Sequence, residues 1–445
     1  MTTDPGGATA PPRDRIPRRV VGGYAAGSVG TGGFGTLPGL VLAYYLTDTL
    51  AVPALLAAFV VVVPKVWDVV IDPAVGALSD REARRSHTRH RLMRLGAVTL
   101  PIGFVATFAT PAGLSPGAAG LWVMVAFLLA TSSFSLFQVP YIALPADLTD
   151  DYDERTRLLS WRIAALALTI LLVGAGGPAL RDAGGGGHLG YLVMGVVVAG
   201  VLLAGMLGCV RGVAGERPAP PPAAPLRSGY VEGVVTLREH RTYRVLLTVF
   251  VLQAVATGVM LAAAQYVATY TLGSQSALTF LFLALVGPAL VVMPLWTRYA
   301  ALVGKARALT TASVLFVVAA LALVALPLAP GWFAYAAVGL AGVAYAGMQL
   351  FPLAMLPDVI SAAGRERGGS MSGLWTAGET AGLAAGPVVV LLMLAAGRFV
   401  PSEAGEVVAQ PATAHLAIGL AFSVVPAALV VASLVVLRRY REPVR

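Results

Sequence analysis

Three ionisable residues, Lys65, Asp68 and Asp72, follow the apolar run 54–64 with no polar break between them. Their spacings of three and four put all three on one face of a helix. Charged groups in hydrocarbon are costly and ordinarily face a partner, a cavity or an ion path. Two carboxylates side by side offer oxygen ligands to a hard cation such as Na⁺. In a poorly solvated site they also repel each other, which favours keeping a proton on one of them. Lys65 reads as the neutralising neighbour of Asp68 rather than as a substrate ligand. The chemistry expected of this face is therefore reversible binding of H⁺ or Na⁺.

The rest of the chain must hold that face inside a membrane. Its 445 residues are 57% hydrophobic and 12% charged, too apolar for an ordinary soluble domain. The composition predicts an all-α integral membrane protein. A net charge of +9 would suggest nucleic acid in a soluble protein, but here the basic residues gather between apolar runs and set topology. Cys209 is the only cysteine, so neither a disulfide framework nor a cysteine metal site is expected. No cofactor is expected beyond the coupling ion. The N-terminal tail leads into an apolar stretch longer than a signal-peptide core, with no clear small-residue cleavage site, so helix one is expected to be retained.

Twelve spans of bilayer-crossing length can be drawn, near 20–47, 53–79, 92–112, 118–148, 158–180, 188–210, 243–270, 275–297, 307–328, 332–358, 371–397 and 413–437. They divide the chain into a tail (1–19), a six-helix half (20–211), a Pro/Ala-rich linker (212–242), a second six-helix half (243–438) and a short tail (439–445). A short helix is expected near 231–239 in the linker. With both termini cytoplasmic, the Arg-rich segments 13–19, 81–94, 155–162, 211–244, 298–307, 365–367 and 438–445 all fall inside. Arg181 and Arg398 fall outside. Lys is scarce and Ala and Gly abundant, which points to a GC-rich bacterial genome and hence a bacterial plasma membrane.

Helix four ends QVPYIALPADLTDDYDERTRLLSW and helix ten ends QLFPLAMLPDVISAAGRERGGSMSGLW. Each has Gln, then Pro, then Leu-Pro with an Asp, a charged loop and a Trp in the next helix. Positions four and ten are those a six-plus-six duplication would pair. Asp147 and Asp358, at the two helix ends, are candidate cytoplasmic gate residues. Tyr24, Gln138, Tyr141, Arg162, Gln349, Trp375, Thr376 and Glu379 are candidate cavity linings beside Lys65. Gly30, Gly32, Gly33 and Gly35 lack the strand and the Lys-Ser/Thr of a phosphate loop, and read as close helix packing.

The run KVWDVVIDPAVGALSDR resembles the helix-two signature of the glycoside-pentoside-hexuronide:cation symporters, the melibiose-permease branch of the major facilitator superfamily. The first helix, VPYIALPADLTDDYDERTRLLSWR and SGLWTAGETAGLAAGP extend the resemblance over essentially the whole chain. It implies the major facilitator fold, with two six-helix pseudo-symmetric halves around a central path. It also implies that Asp68 and Asp72 form the coupling-cation site, with the helix-four hydroxyl Ser135 adding an oxygen. The Asn that precedes the second acid in that branch is Ile71 here, which moves weight from Na⁺ toward H⁺. The sugar-binding acid of helix one aligns with Gly32, and the helix-four acid and Trp align with Gln138 and Ile142. The helix-eleven Lys falls at Thr380 or Ala381 beside Glu379, and the basic helix-five position matches Arg162.

The function these features imply is cation-coupled symport of a sugar-like small solute by alternating access, in a monomer embedded in lipid. A lysophospholipid symporter with similar helix-two acids and a proton-coupled exporter of a small hydrophobic compound are the alternatives. An enzyme is not expected. The sequence holds no nucleophile-base pair, and His87, His90, His188, His240 and His415 are scattered in loops or at helix ends.

Overall fold

The computed structural model describes residues 15–149, 151–215, 237–363, 368–403, 406 and 408–441. The tails 1–14 and 442–445, most of the linker and the loop 364–367 lie outside the described residues; of the helix expected near 231–239, only 237–239 are described, and they are helical. The first group of helices is α1 (Arg18–Asp48), α2 (Ala54–Ser86), α3 (His90–Phe108), α4 (Pro116–Leu148), α5 (Tyr152–Ala183) and α6 (Gly187–Gly212). The second is α7 (Arg241–Tyr270), α8 (Ala277–Val303), α9 (Lys305–Ala322, continued by a 3₁₀ turn Leu323–Leu328), α10 (Trp332–Ala363) and α11 (Gly368–Ala396), then α12 (Ala412–Phe422) and α13 (Val424–Leu437). The last two form one crossing, interrupted at Ser423 because Pro426 has no N–H to offer the Phe422 carbonyl.

Eleven crossings are long and apolar enough among the described residues to span a membrane. The twelfth helix, α1, is diluted by Gly and Tyr, and it is largely buried against α5 and α6. Its glycines are packing surfaces: a Cβ at Gly30 or Gly33 would press on Met206 or Leu202, 2.8 and 2.7 Å away. Gly35, by contrast, faces open space. The α2 helix, with 33 residues, is about 50 Å long and outruns the hydrocarbon, carrying Arg84 and Arg85 in its last turn.

The packing repeats with an offset of six helices. Contacts α1–α5, α1–α6, α2–α4, α3–α4 and α3–α6 recur as α7–α11, α7–α13, α8–α10, α9–α10 and α9–α13. Between the groups, α2 meets α11 and α5 meets α8, again a symmetric pair, while α1 meets α7 on the axis. The duplicated motif noticed in helices four and ten thus extends to the arrangement of whole helices.

Hydrogen bonds between the two groups gather at the ends of α1, α5 and α7 remote from the termini. Thr47 Oγ1 lies 2.8 Å from Tyr266 Oη, and Thr269 Oγ1 donates to Tyr44 Oη at 3.1 Å. The Tyr270 hydroxyl donates to Asp48 Oδ1, and Arg181 Nη1 donates to Gln265 Oε1 at 2.8 Å. Main-chain bonds from Ala51 to Ser402 and from Ser402 to Thr47, with a bridge between Leu50 and Glu403, complete the seal. At about 1 kcal/mol net apiece these bonds together hold the halves by several kcal/mol. Toward the terminal side, α11 leaves Ser372, Thr376 and Thr380 exposed, and hydroxyls on a spanning helix call for a wet path.

Candidate functional site

The α2 helix carries the charged face between Pro64 and Pro73. Each proline removes a backbone donor, leaving the carbonyls of residues 60 and 69 without their helical partners, so this stretch is polar in backbone as well as side chain. Lys65 Nζ lies 3.4 Å from Asp68 Oδ2 and 5.8 Å from the Phe127 ring centre. Asp68 Oδ1 is buried with no hydrogen-bond partner in the structure. An unpartnered carboxylate oxygen away from water is expensive, and a bound cation or proton would satisfy it.

Helix α4 faces this stretch. Ser135 stands beside Asp72 and Thr131 beside Asp68, neither hydroxyl bonded to its acid here, since Thr131 Oγ1 donates to the Leu128 carbonyl at 3.1 Å. Both hydroxyl residues are buried, Thr131 fully. Trp67 Nε1 donates to Ser132 Oγ at 2.8 Å, pinning α2 to α4 one residue before the first acid. Two carboxylates and two hydroxyls with one ammonium alongside give an oxygen-rich pocket of net charge −1. Thr131 and Ser132 were missed at the sequence level. The signal was the run TSSFS, since Thr131 sits one helical turn before Ser135.

The remaining candidates divide by location. Gln138 accepts from Thr31 Oγ1 at 2.7 Å, joining α4 to α1 on the face that continues from Ser135. Tyr24 and Tyr141 are fully buried with ring centres 4.8 Å apart, and Tyr141 Oη donates to the Tyr24 carbonyl at 2.8 Å. They pack α1 against α4 and line no open cavity, a correction to the expectation for both; such aromatics are among the largest apolar groups the interface can bury. Arg162 lies over the Tyr141 ring at 5.5 Å and stays away from the carboxylate pair, leaving Lys65 as the cation beside it.

In the second group Gln349 Nε2 donates to Tyr345 Oη at 3.0 Å and lies 3.5 Å from Glu379 Oε1. This contact bridges α10 and α11, which otherwise barely touch. Thr376 is exposed one turn away from Glu379. Trp375 is buried and stacks on Phe250 at 4.3 Å, so it too is a packing residue rather than a lining one.

Asp147 and Asp358 each bond within their own helix group. Arg89, between α2 and α3, gives Nε to Asp147 at 2.6 Å and Nη1 to Asp80 at 2.8 Å and to Ser79 at 2.7 Å. Burial alone would make the Arg89 guanidinium easier to deprotonate, but the bonds and charges of Asp147 and Asp80 outweigh it and hold its pKa above the ordinary value. At the matching place in the second half, Lys305 bonds Asp358 at 2.7 Å and the Ala354 carbonyl at 2.8 Å. Both acids clamp the start of one helix to the end of the next. Neither bridges the halves as a gate in this conformation.

Comparison with known proteins decides the family. The model for the MFS/sugar transport protein family matches residues 23–441. The chain belongs to that family. Inner membrane symporter YicJ of Escherichia coli K12 is 26% identical over 420 residues, covering 90% of this chain and 86% of YicJ. The sodium-dependent lysophosphatidylcholine symporter 1 of Mus musculus is 26% identical over 371 residues, covering 76% of this chain and 69% of that one. A symporter of Synechocystis and YagG of Escherichia coli K12, named for glycoside/cation symport, are 29% and 32% identical. The chain spans only about a third of the length of those two, 33% and 37%, within the matched stretch. A D-xylose-proton symporter superposes with TM-score 0.71 at 14% identity over 96% of this chain and 98% of that one. The fold is therefore the major facilitator fold, in a multi-pass membrane protein of a transporter family.

Proposed function

We propose that this protein is a cation-coupled symporter that moves a small, sugar-like solute by alternating access, with Asp68 and Asp72 as the coupling site. The observation that carries the reading is the α2–α4 pocket. Its charge of −1 means that one monovalent cation makes it neutral, and a neutral centre crosses a low-dielectric barrier far more easily than a charged one. Cation occupancy then lowers the cost of reorientation with substrate, and linkage requires substrate to tighten cation binding in return. Both termini are assigned to the cytoplasm by the Arg distribution, which makes the sealed side external and this conformation inward-facing.

The coupling ion in this reading is H⁺, because Ile71 offers no oxygen and Lys65 occupies one flank of Asp68. Na⁺ is the second reading, favoured by the unpartnered Asp68 Oδ1 with the Thr131 and Ser135 hydroxyls beside it. Gln349, Glu379, Thr376 and Gln138 are assigned to the solute, which suits a polyol with many hydroxyls. The likeness to the mouse symporter makes a lysophospholipid the competing solute. Proteoliposomes separate these readings. Sugar-driven alkalinisation of the medium without added Na⁺ supports the proton, and uptake that requires Na⁺ overturns it. Cation-driven uptake of lysophospholipid but of no sugar or glycoside overturns the solute assignment.

A further inference from the structure

The carboxylate of Asp48 plays no part in the site described above, yet it is buried, 6% exposed, at the seam between the halves. Tyr270 of α7 donates to its Oδ1, and Thr47 Oγ1 lies 2.5 Å from its Oδ2. The other titratable or charged groups around it are accounted for on every side. Tyr44 lies on α1 itself, and Tyr266 on α7 bonds Thr47. On α6 stands Tyr191, and on α5 Arg181, whose guanidinium is bound to Asp182, Gln265 and the Gln275 carbonyl. Glu403 pairs its backbone with Leu50, and His415 of α12 lies edge-on to Tyr270. Thus the nearby buried cation is committed to Asp182, and none among the described residues forms an ion pair with Asp48.

The Thr47 hydroxyl can serve either state of the acid. It lies 2.5 Å from Asp48 Oδ2, 3.2 Å from the Ala43 carbonyl and 2.8 Å from Tyr266 Oη, but it has one hydrogen. With Asp48 ionised, Thr47 donates to the carboxylate and Tyr266 donates to Thr47. With Asp48 protonated, the acid donates to Thr47 and Thr47 donates to Ala43, while Tyr266 still donates to Thr47. No bond is lost on protonation, whereas ionisation in place leaves a buried charge with no counter-ion.

We infer that Asp48 is a second proton-binding site, located in the external gate and separate from the coupling pair, whose protonation from outside latches that gate shut. Opening the seam hydrates the carboxylate and lets it ionise; closing it selects the protonated acid. Because Asp48 is sealed from the terminal side, its proton sets the conformation and is not the proton carried through. The inference rests on alternating access but not on the identity of the solute or of the coupling ion.

The test places a single cysteine at Ala264, which sits with Leu40 of α1 in the apolar layer beside the seam, in a Cys209→Ala background. Labelling by a membrane-impermeant maleimide from outside is normalised to a cysteine at exposed Gly117, which cancels the pH dependence of the thiol itself. The normalised rate should fall about tenfold as external pH is lowered from about 8 to about 5, as a shift of gate population by one titrating group allows. Asp48→Asn should label slowly at every pH. Tyr270→Phe, which keeps the acid and removes one bond, should label faster throughout while retaining the pH dependence. An unchanged pH dependence in Asp48→Asn, or none in the parent, overturns the inference. If Asp48→Asn does not reach the membrane, loss of pH dependence in Tyr270→Phe overturns it instead. Because this readout needs no uptake, a failure here is distinct from a failure of the symport assignment.

Discussion

The two halves share a frame and differ in where they put charge. In the first half, α2 carries Lys65, Asp68 and Asp72 in mid-helix, against hydroxyls on α4. Its counterpart α8 holds no Asp, Glu, Lys or Arg from 277 to 297, the first charge being Arg298. The second half instead places a lone acid, Glu379, on α11, hydrogen-bonded to an amide and beside Tyr345. The contrast fits the proposed division of labour, in which the first half holds the cation and the second supplies most of the groups assigned to the solute. The helix clamps show the same divergence. Arg89 is 4% exposed at its side chain and Asp147 9%, while Lys305 and Asp358 are 39% and 43% exposed.

That contrast can be broken most severely at the acids of α2. Asp68→Asn and Asp72→Asn should each reduce gradient-driven accumulation to the equilibrium level, read as uptake into proteoliposomes, while the purified proteins keep the parent helicity by circular dichroism. Next comes the buried clamp. Asp147→Asn should cost about 3 kcal/mol in detergent unfolding, near the low end for breaking a buried pair, because Asp80 and Ser79 still hold the guanidinium. Glu379→Gln should raise the KM for solute about tenfold, or about 1.4 kcal/mol, without abolishing the gradient dependence. A loss of gradient dependence there would place coupling in both halves and dissolve the division of labour. The smallest effect should come from Asp358→Asn, less than about 1 kcal/mol by the same unfolding measurement, since its ion pair is open to solvent.

Much of this was legible from local pattern. Helix-crossing length, Arg clustering and the three-four spacing of Lys65, Asp68 and Asp72 are properties of short stretches, and the expected spans fall within a few residues of the observed helices over most of the chain. Helix α2 runs further, to Ser86, because its last turns leave the apolar layer and no longer show as hydrophobic run. What escaped depends on partners far along the chain. Asp48 looks like an ordinary helix-end acid until Tyr270, 222 residues away, is placed against it. Arg181, an exception to the charge rule, is explained by burial with Asp182 and Gln265. Tyr24, Tyr141 and Trp375 have the chemistry of cavity linings, and only packing shows that neighbouring helices enclose them.

The most direct test of the central claim is sugar and glycoside uptake into proteoliposomes under an imposed pH gradient, with the parent protein and Asp68→Asn measured side by side. The account predicts accumulation above the external concentration in the parent, collapsed by a protonophore and absent in Asp68→Asn. Equal accumulation by the two proteins would contradict it, because the carboxylate pair would then not be the place where ion and solute are coupled.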